Sequence, residues 1–520
     1  MPEIEKSYEN SDSYQEIEVK NDLNADQKDA RYKLLAETPI RKLFWLQSYP
    51  NILAALYNQT VNACMVIILS RYRPTLTTAF SFSNPFQLVC RSFALLVGSG
   101  TNNTVSYYFG KKDYRKVEEA MCNGLLLCFV STAFLVIVFY PSIPYIIPLF
   151  GTPESVAPFT ILDSNILMCA SIIPNLALWA NGILRAQGSP KIVMYGLLLG
   201  ASLGLLAAYI FCIVLNWGIA GFASAYMVSP LCNFLFALPF ILRGKHVAVH
   251  FKFTKINKIL IDIIKRGCSA GLSWLTGVVL IIIMNEGIVK LTYGKPSSTP
   301  EYTETEVISA ARAAVSSITN VVMNVATTLA INATLPLANF ARGAGLWDRF
   351  RKVNIYAIFV TFGITFGLCA LFLALSTVIP SIFFVNSADK HAMSKIMIIY
   401  LIGRAFCSPA ISIVELFQSI ELNLVATIVS FLRKLFVISA LLLIVMFSTD
   451  NIWMLIGTFP IGDAISTILS LIIIFCYKNK LVLTKKAVAQ KLAEHETARN
   501  TETVIISEND DFTEVDENDD

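Results

Sequence analysis

Residues 97–117 read VGSGTNNTVSYYFGKKDYRKV. The stretch leaves an apolar run through small residues and closes on a glycine and a cluster of cations. Its last three residues, Arg115-Lys116-Val117, return as Arg351-Lys352-Val353, 236 residues later. Asn84 and Asn320 keep that offset, as do Trp217 with Trp453 and Gly221 with Gly457; Pro174 and Pro409 miss it by one. Apolar helices alone would align at many offsets, so one offset held at polar and loop positions marks an internal duplication. The first apolar run of each half aligns only near an offset of 220, and residues 292–307 absorb the difference as a longer loop.

The repeated unit is built for a membrane. Of 520 residues 55% are hydrophobic and 15% charged, with a mean hydropathy of +0.59. A soluble chain carries about 25% charge, so the composition argues against a soluble enzyme. A spanning helix needs about 20 apolar residues. Runs of that kind fall at 50–69, 78–99, 119–139, 157–180, 192–214, 218–241, 268–291, 308–336, 354–378, 394–417, 424–447 and 452–476. The fold expected is therefore an all-α integral membrane protein with twelve transmembrane helices in two pseudo-symmetric six-helix bundles. Six spans per half give both halves the same orientation, a parallel duplication about an axis along the membrane normal. No basic start followed by an apolar segment suggests a signal peptide. The eleven cysteines lie mostly in apolar runs without a CxxC pair, so neither a disulfide framework nor a metal site is expected.

Charge divides the chain. Residues 1–37 carry ten acids and five bases, residues 494–520 eleven acids and one base, and the body between them 35 bases against 16 acids. Acidic polar ends read as disordered tails. The basic excess lies in loops after even-numbered spans, at Lys111, Lys112, Arg115, Lys116, Arg185, Lys191, Arg243, Lys245, Arg342, Arg349, Arg351 and Lys352. By the positive-inside rule these loops and both termini are cytoplasmic, and the excess answers an anionic leaflet and not a nucleic acid. The organisation expected is a tail at 1–38, a first lobe at 39–244, a linker at 245–266, a second lobe at 267–480 and a tail at 481–520. Nothing in the sequence chooses between the plasma membrane and an organelle.

Polar side chains inside the spans are the candidate site, since an ionisable group at mid-membrane costs at least about 2.5–3.5 kcal/mol. Asn51, Asn58 and Asn62 share one stripe of the first span, and Asn84, Gln87 and Arg91 one side of the second. The eighth span carries Asn320 and Asn324, the tenth Arg404, Glu415 and Gln418, and the twelfth Asp463. Arg91 and Glu415 are deep and lack a partner nearby in sequence. Glu286 stands four residues before Lys290, as a snorkelling ion pair would, and Asp463 reads equally as a contact within the second lobe. Gly110 and Gly188 stand where helix C-caps are expected.

The loops resemble one family. Residues 97–117, the loop NGILRAQGSPK at 181–191, the segment PLANFARGAGLWDRFRK at 336–352 and Phe459-Pro460-Ile461-Gly462-Asp463 are similar to the signatures of MATE (multidrug and toxin extrusion) transporters of the bacterial-type branch. They belong to the multidrug, oligosaccharidyl-lipid and polysaccharide flippase superfamily. The resemblance covers about residues 39–480. It implies a two-lobed transporter driven by protons or sodium, with no other cofactor, a small organic substrate and a monomer in the bilayer. Glu415 with Gln418 resembles the family's carboxylate-x-x-Gln of the tenth helix, implying a coupling role. Where the first helix usually has an aspartate, this chain has Val61 or Asn62, and Gly204 and Ala208 stand where the fifth often has Asn and Asp.

Three functions stay open on the residues. The first is antiport of cationic or amphiphilic organic substrates against an ion gradient, with Glu415 as the switch. A second is a flippase for a lipid-linked saccharide or another anionic amphiphile, read by Arg91. The third is an uncoupled scaffold, which the missing acids of the first lobe and the acidic tails suggest.

Overall fold

A computed structural model describes residues 28–149, 152, 156–243, 247–292, 315, 318–383, 387–449 and 451–497. Every regular element among them is helical. A short helix, α1 (28–37), precedes α2 (Ile40–Tyr72), α3 (Pro74–Gly110) and α4 (Tyr114–Phe139). Then come α5 (Ile143–Leu149), the bent pair α6 (Ala157–Cys169) and α7 (Ile172–Ala186), α8 (Pro190–Tyr209), which runs on as a π segment at Ile210–Val214, and α9 (Gly218–Arg243). The second half has α10 (Ile259–Thr292), α11 (318–327), a π segment at Thr328–Thr334, α12 (Leu335–Gly343), α13 (Trp347–Ala374) and α14 (Ile379–Phe383). It closes with α15 (Ser387–Ser419), α16 (Asn423–Phe431), a π segment at Leu432–Val437, α17 (Ile438–Ser448), α18 (Ile452–Tyr477) and α19 (485–497).

Ten described helices or joined helices are long and apolar enough to cross a membrane, and eleven if the pair α6–α7, bent by 43°, is one span. The chain is thus a multi-pass membrane protein. The expected second span, α3, is the longest helix at 37 residues and is not among them. Its polar residues explain why: Asn84, Gln87, Arg91, Ser99, Thr101, Asn102, Asn103, Thr104 and Ser106 all lie on it. Most of these are buried against other helices and not spread around the helix. Protein, more than lipid, surrounds α3. The long loop expected at 292–307 lies almost wholly outside the described residues.

The halves meet along a seam in which α3 packs on α10 and α12, and α2 packs on the π segment Thr328–Thr334. Small residues set its closeness. A Cβ on Gly267 would strike the carbonyl of Leu96, and one on Gly100 the carbonyl of Ile263. Gly110 proves to be part of this seam and not a C-cap: Lys112 takes the left-handed turn instead, with φ 59°, and the carbonyl of Phe340 fills the space beside Gly110. Gly188 does turn left-handed, at φ 74°.

Parts of both expected tails are ordered at the end of the bundle where the seam is tightest. Leu35 of α1 is buried against Gly188, and the Tyr32 ring meets the Phe340 ring edge-on at 5.3 Å. Arg349 donates to the carbonyl of Thr38 at 2.6 Å. At the other terminus Leu481, Val482, Ala487 and Val488 are buried, the last three beside Trp347. Both segments carry apolar residues among their charges, and these find cover that an acidic tail alone would not. Residues 1–27 and 498–520 lie outside the described chain. The linker is also bound: Gln187 exchanges two hydrogen bonds with Val249, at 3.0 and 2.8 Å, and α10 begins at Ile259. All eleven cysteines are free thiols.

Candidate transport site

The seam is tightest at the end that carries both termini. Along α10 it continues past Gly271, where an added Cβ would meet the carbonyl of Ser92, to Leu275 and Val278, which pack on the cluster of Phe86, Val89 and Cys90. Next to Ser92 on α3, the Arg91 guanidinium lies 4.5 Å from the Trp274 ring of α10. Arg91 is exposed. Asn84 and Asn320 are exposed further along, while Asn58, Asn62 and Asn324 are half-buried. Asn324 donates to Gln59 at 3.2 Å and so joins the second half to the first. Among the described residues Arg91 has no carboxylate partner within ion-pair distance.

Three clusters hold the closed end. Arg266 and Arg342 both pair with Glu421, the latter at 3.0 Å. The two guanidiniums also lie 4.5 and 4.8 Å from the Tyr107 ring of α3. Burial pushes the Glu421 carboxyl up, but Arg342 and Arg266 outweigh it and hold the group below its ordinary value. Asn339 donates to Asn103 at 3.1 Å. Arg185, buried where α7 ends, donates to Asn51 of α2 and to Asn332 of the π segment, each at 3.0 Å. Polar groups deep in the seam are thus paired across it, as burial demands.

Glu415 is treated differently. It is 4% exposed, and its Oε2 has no hydrogen-bond partner. It lies on α15 in line with Ser408 and Ser412, whose hydroxyls are also unpartnered, as is that of Ser430 on α16. The cation that acts on it is Arg433, itself buried and set in the π segment Leu432–Val437. Segments of that kind recur at functional sites because they re-aim side chains. Gln418 does not reach into this group. It donates instead to Ser269 of α10 at 3.1 Å.

The remaining candidates part company with the site. Arg404 pairs with Asp463 at 3.2 Å, joining α15 to α18 within the second half, so the partner Arg404 needs is Asp463. The pair expected between Glu286 and Lys290 is not formed; both are exposed, and Lys290 lies over the Phe447 ring at 3.9 Å. Sequence reasoning missed Arg433, Trp274, Glu421 and Asp163. Asp163, in the apolar run at 157–180, was readable by the same mid-membrane argument as Glu415. The other three acquire meaning only from what they face.

The architecture is shared with solved transporters. An outward-facing multidrug-resistance MATE transporter of the MOP superfamily superposes with a TM-score of 0.78 at 19% identity, over 87% of this chain and 98% of that one. Residues 50–210 match the MatE family model. The chain has the fold of a MATE transporter. A probable multidrug resistance protein of Bacillus subtilis, YoeA, is 21% identical over 328 residues, 61% of this chain and 67% of that protein. A MOP-superfamily transporter of Pyrococcus furiosus, described as having a binding pocket of reversed polarity, matches the MATE fold of this chain with a TM-score of 0.77 at 19% identity, over 87% and 99% of the two chains.

Proposed function

We propose that this MATE-type chain is a secondary antiporter that exports amphiphilic organic molecules against an inward gradient of protons or sodium. The observation that carries the reading is Glu415, a buried carboxylate with an unused oxygen in a stripe of unused hydroxyls beside one cation. An ionised carboxylate so placed is costly unless paired, and a proton or a small cation relieves the cost. Loading Glu415 therefore changes the balance of charge between α15 and the π segment that holds Arg433. The seam in this conformation is tightest at the terminus-bearing end, which the basic loops would assign to the cytoplasm. Ion entry would then favour the state that releases cargo outward, and ion exit the reverse, by rocking of the two halves about the seam. Cargo would bind as a small organic molecule to a monomer in the bilayer.

A second reading rests on Arg91. It is an exposed cation without a carboxylate partner among the described residues, laid on Trp274. Such a site suits an anionic or zwitterionic amphiphile, including a lipid-linked phosphate. The other buried arginines near the seam are committed to Asn51 and Asn332 or to Glu421, so a single guanidinium would meet the phosphate.

The test is efflux of a cationic dye, and separately of an anionic fluorophore, from cells expressing wild type and Glu415→Gln, with pH and sodium gradients imposed one at a time. Gradient-driven efflux that Glu415→Gln abolishes at equal expression supports antiport through Glu415. Efflux of the anion alone, lost in Arg91→Gln, moves the reading to anionic cargo.

A further inference from the structure

We propose that Asp163 is a second proton-exchange site, located in the first half and linked to Arg91 by one face of α3. Asp163 lies on α6 and is fully buried. Its Oδ2 is hydrogen-bonded to the Ser83 hydroxyl of α3, and its Oδ1 has no partner. The adjacent Ser164 hydroxyl and Asn165 carbonyl oxygen are unpartnered as well. No lysine, arginine or histidine among the described residues lies within ion-pair distance of it. Near it on the packed elements are Cys90 on α3, which contacts Met168 of α6, and Tyr226 on α9, whose ring lies 6.1 Å from that of Phe80; Arg91 follows two turns beyond Ser83 on α3, and α4, which also packs on α6, carries Cys128 in its buried face. On α5, Tyr145 points out to the surface at 78% exposure.

The hydrogen bonds of Ser83 decide what Asp163 carries. A hydroxyl has one proton to give and two lone pairs to receive. Ser83 Oγ lies 2.9 Å from the carbonyl of Phe80 and also within reach of Asp163 Oδ2, while Gln87 Nε2 donates to it at 3.2 Å. With Asp163 ionised, two acceptors compete for the single Ser83 proton and a buried charge is left with one hydrogen bond at most. With a proton on Oδ2, Asp163 donates to Ser83, Ser83 donates to Phe80, and Gln87 fills the second lone pair. Every capacity of the hydroxyl is then used once. The reaction is simple protonation: a proton adds to Oδ2 and leaves from it, and no other bond changes.

The connection to Arg91 is helical. Ser83, Gln87 and Arg91 follow at intervals of four on α3, hence on one face. The face runs from the buried acid, through the half-buried Gln87, to the exposed Arg91 guanidinium. The same helix carries Tyr107 and Asn103 into the closed end. Gain or loss of a charge at Asp163 therefore bears on the helix that forms the seam. This supplies the first half with the titrating group that its first and fifth spans lack; its use in transport rests on the antiport reading, whereas the protonation itself does not.

The experiment is infrared difference spectroscopy of the full chain in lipid, titrated with pH at constant sodium and with sodium at constant pH. The proposal expects a protonated-carboxyl band that is lost in Asp163→Asn, kept in Glu415→Gln and displaced, without loss, in Ser83→Ala. A band untouched by Asp163→Asn in a protein of wild-type thermal stability overturns it. A band that sodium removes at fixed pH in wild type but not in Asp163→Asn also overturns it, since the site would then hold a metal cation. Loss of the band only in Glu415→Gln leaves the antiport reading standing and rejects this one.

Discussion

Asn339 Nδ2 donates to Asn103 Oδ1 at 3.1 Å, and the two residues are separated by 236 positions, the offset of the internal repeat. Equivalent positions of two copies can touch only on the axis that relates them. The Asn103–Asn339 bond therefore marks where the pseudo-twofold axis passes through the closed end. The backbone carbonyl of Tyr107 against Gly343, again 236 residues apart, is a second contact on it. Opening of this end must break both.

Asn339→Leu leaves the Asn103 side-chain carbonyl without its donor, a buried loss of about 1–3 kcal/mol. Thermal unfolding of the full chain in detergent should fall for Asn339→Leu, and Asn103→Leu/Asn339→Leu should recover part of the loss. Strict additivity of the two single changes would mean that the bond contributes nothing.

The Glu421 latch has a defined pH dependence. Its carboxyl is held below an ordinary 4.5 by Arg342 and Arg266 against the opposing effect of burial. A depressed folded value means that the stabilisation is present above the ordinary value and is lost as pH falls through the lowered one. Hydroxyl-radical labelling of Tyr107 itself should stay low and flat from neutral pH down to about 4.5, near the unperturbed value of a glutamate, and rise only below it. Glu421→Gln should raise labelling at neutral pH. A wild-type rise centred near neutrality would contradict this.

Arg404 and Asp463 should behave as a structural pair. Asp463 is 3% exposed, so Arg404→Met strands a buried carboxylate at a cost of about 3–5 kcal/mol. Arg404→Met/Asp463→Leu should regain most of the stability lost, measured by thermal unfolding, together with normal dye efflux. If the double variant is stable yet transports nothing, the pair is part of the transport machinery instead.

Helix α1 of the first tail straps the closed end. Leu35 joins a core shared by Val97 and Ile183 of the first half and Leu337 and Phe340 of the second. Lys112 lies 4.5 Å from the Tyr32 ring. Removing residues 1–38, or Tyr32→Ala with Leu35→Ser, should raise hydroxyl-radical labelling of Tyr107 at least several-fold while leaving helix content unchanged by circular dichroism. Labelling equal to that of the intact chain would show that α1 rests on the seam without holding it.

Much of this molecule was legible residue by residue. Apolar runs gave the helices because a bilayer accepts only long apolar segments whose backbone is satisfied internally. The repeat was legible because duplicated halves keep the loop residues that end and anchor helices. Glu415 stood out because an acid amid apolar residues has no local excuse, and its unpaired oxygen agrees. Asp163 sat in an equally apolar run and needed the same reasoning. The second span was read as apolar, yet α3 is a polar helix wrapped by others.

The sequence by itself determined the all-helical membrane class, the duplication and the list of costly polar residues, since each depends on composition and spacing along one chain. Only the tertiary structure decided which of those residues are spent and which are free. Arg404 is spent on Asp463 and Arg266 on Glu421, while Arg91 lies open on Trp274 and Glu415 and Asp163 keep an oxygen unused. Partners such as these lie 59 to 183 residues away in the chain. A charge in a low-dielectric interior is stable or reactive according to what faces it, and what faces it is set by the packing of helices that no local pattern records.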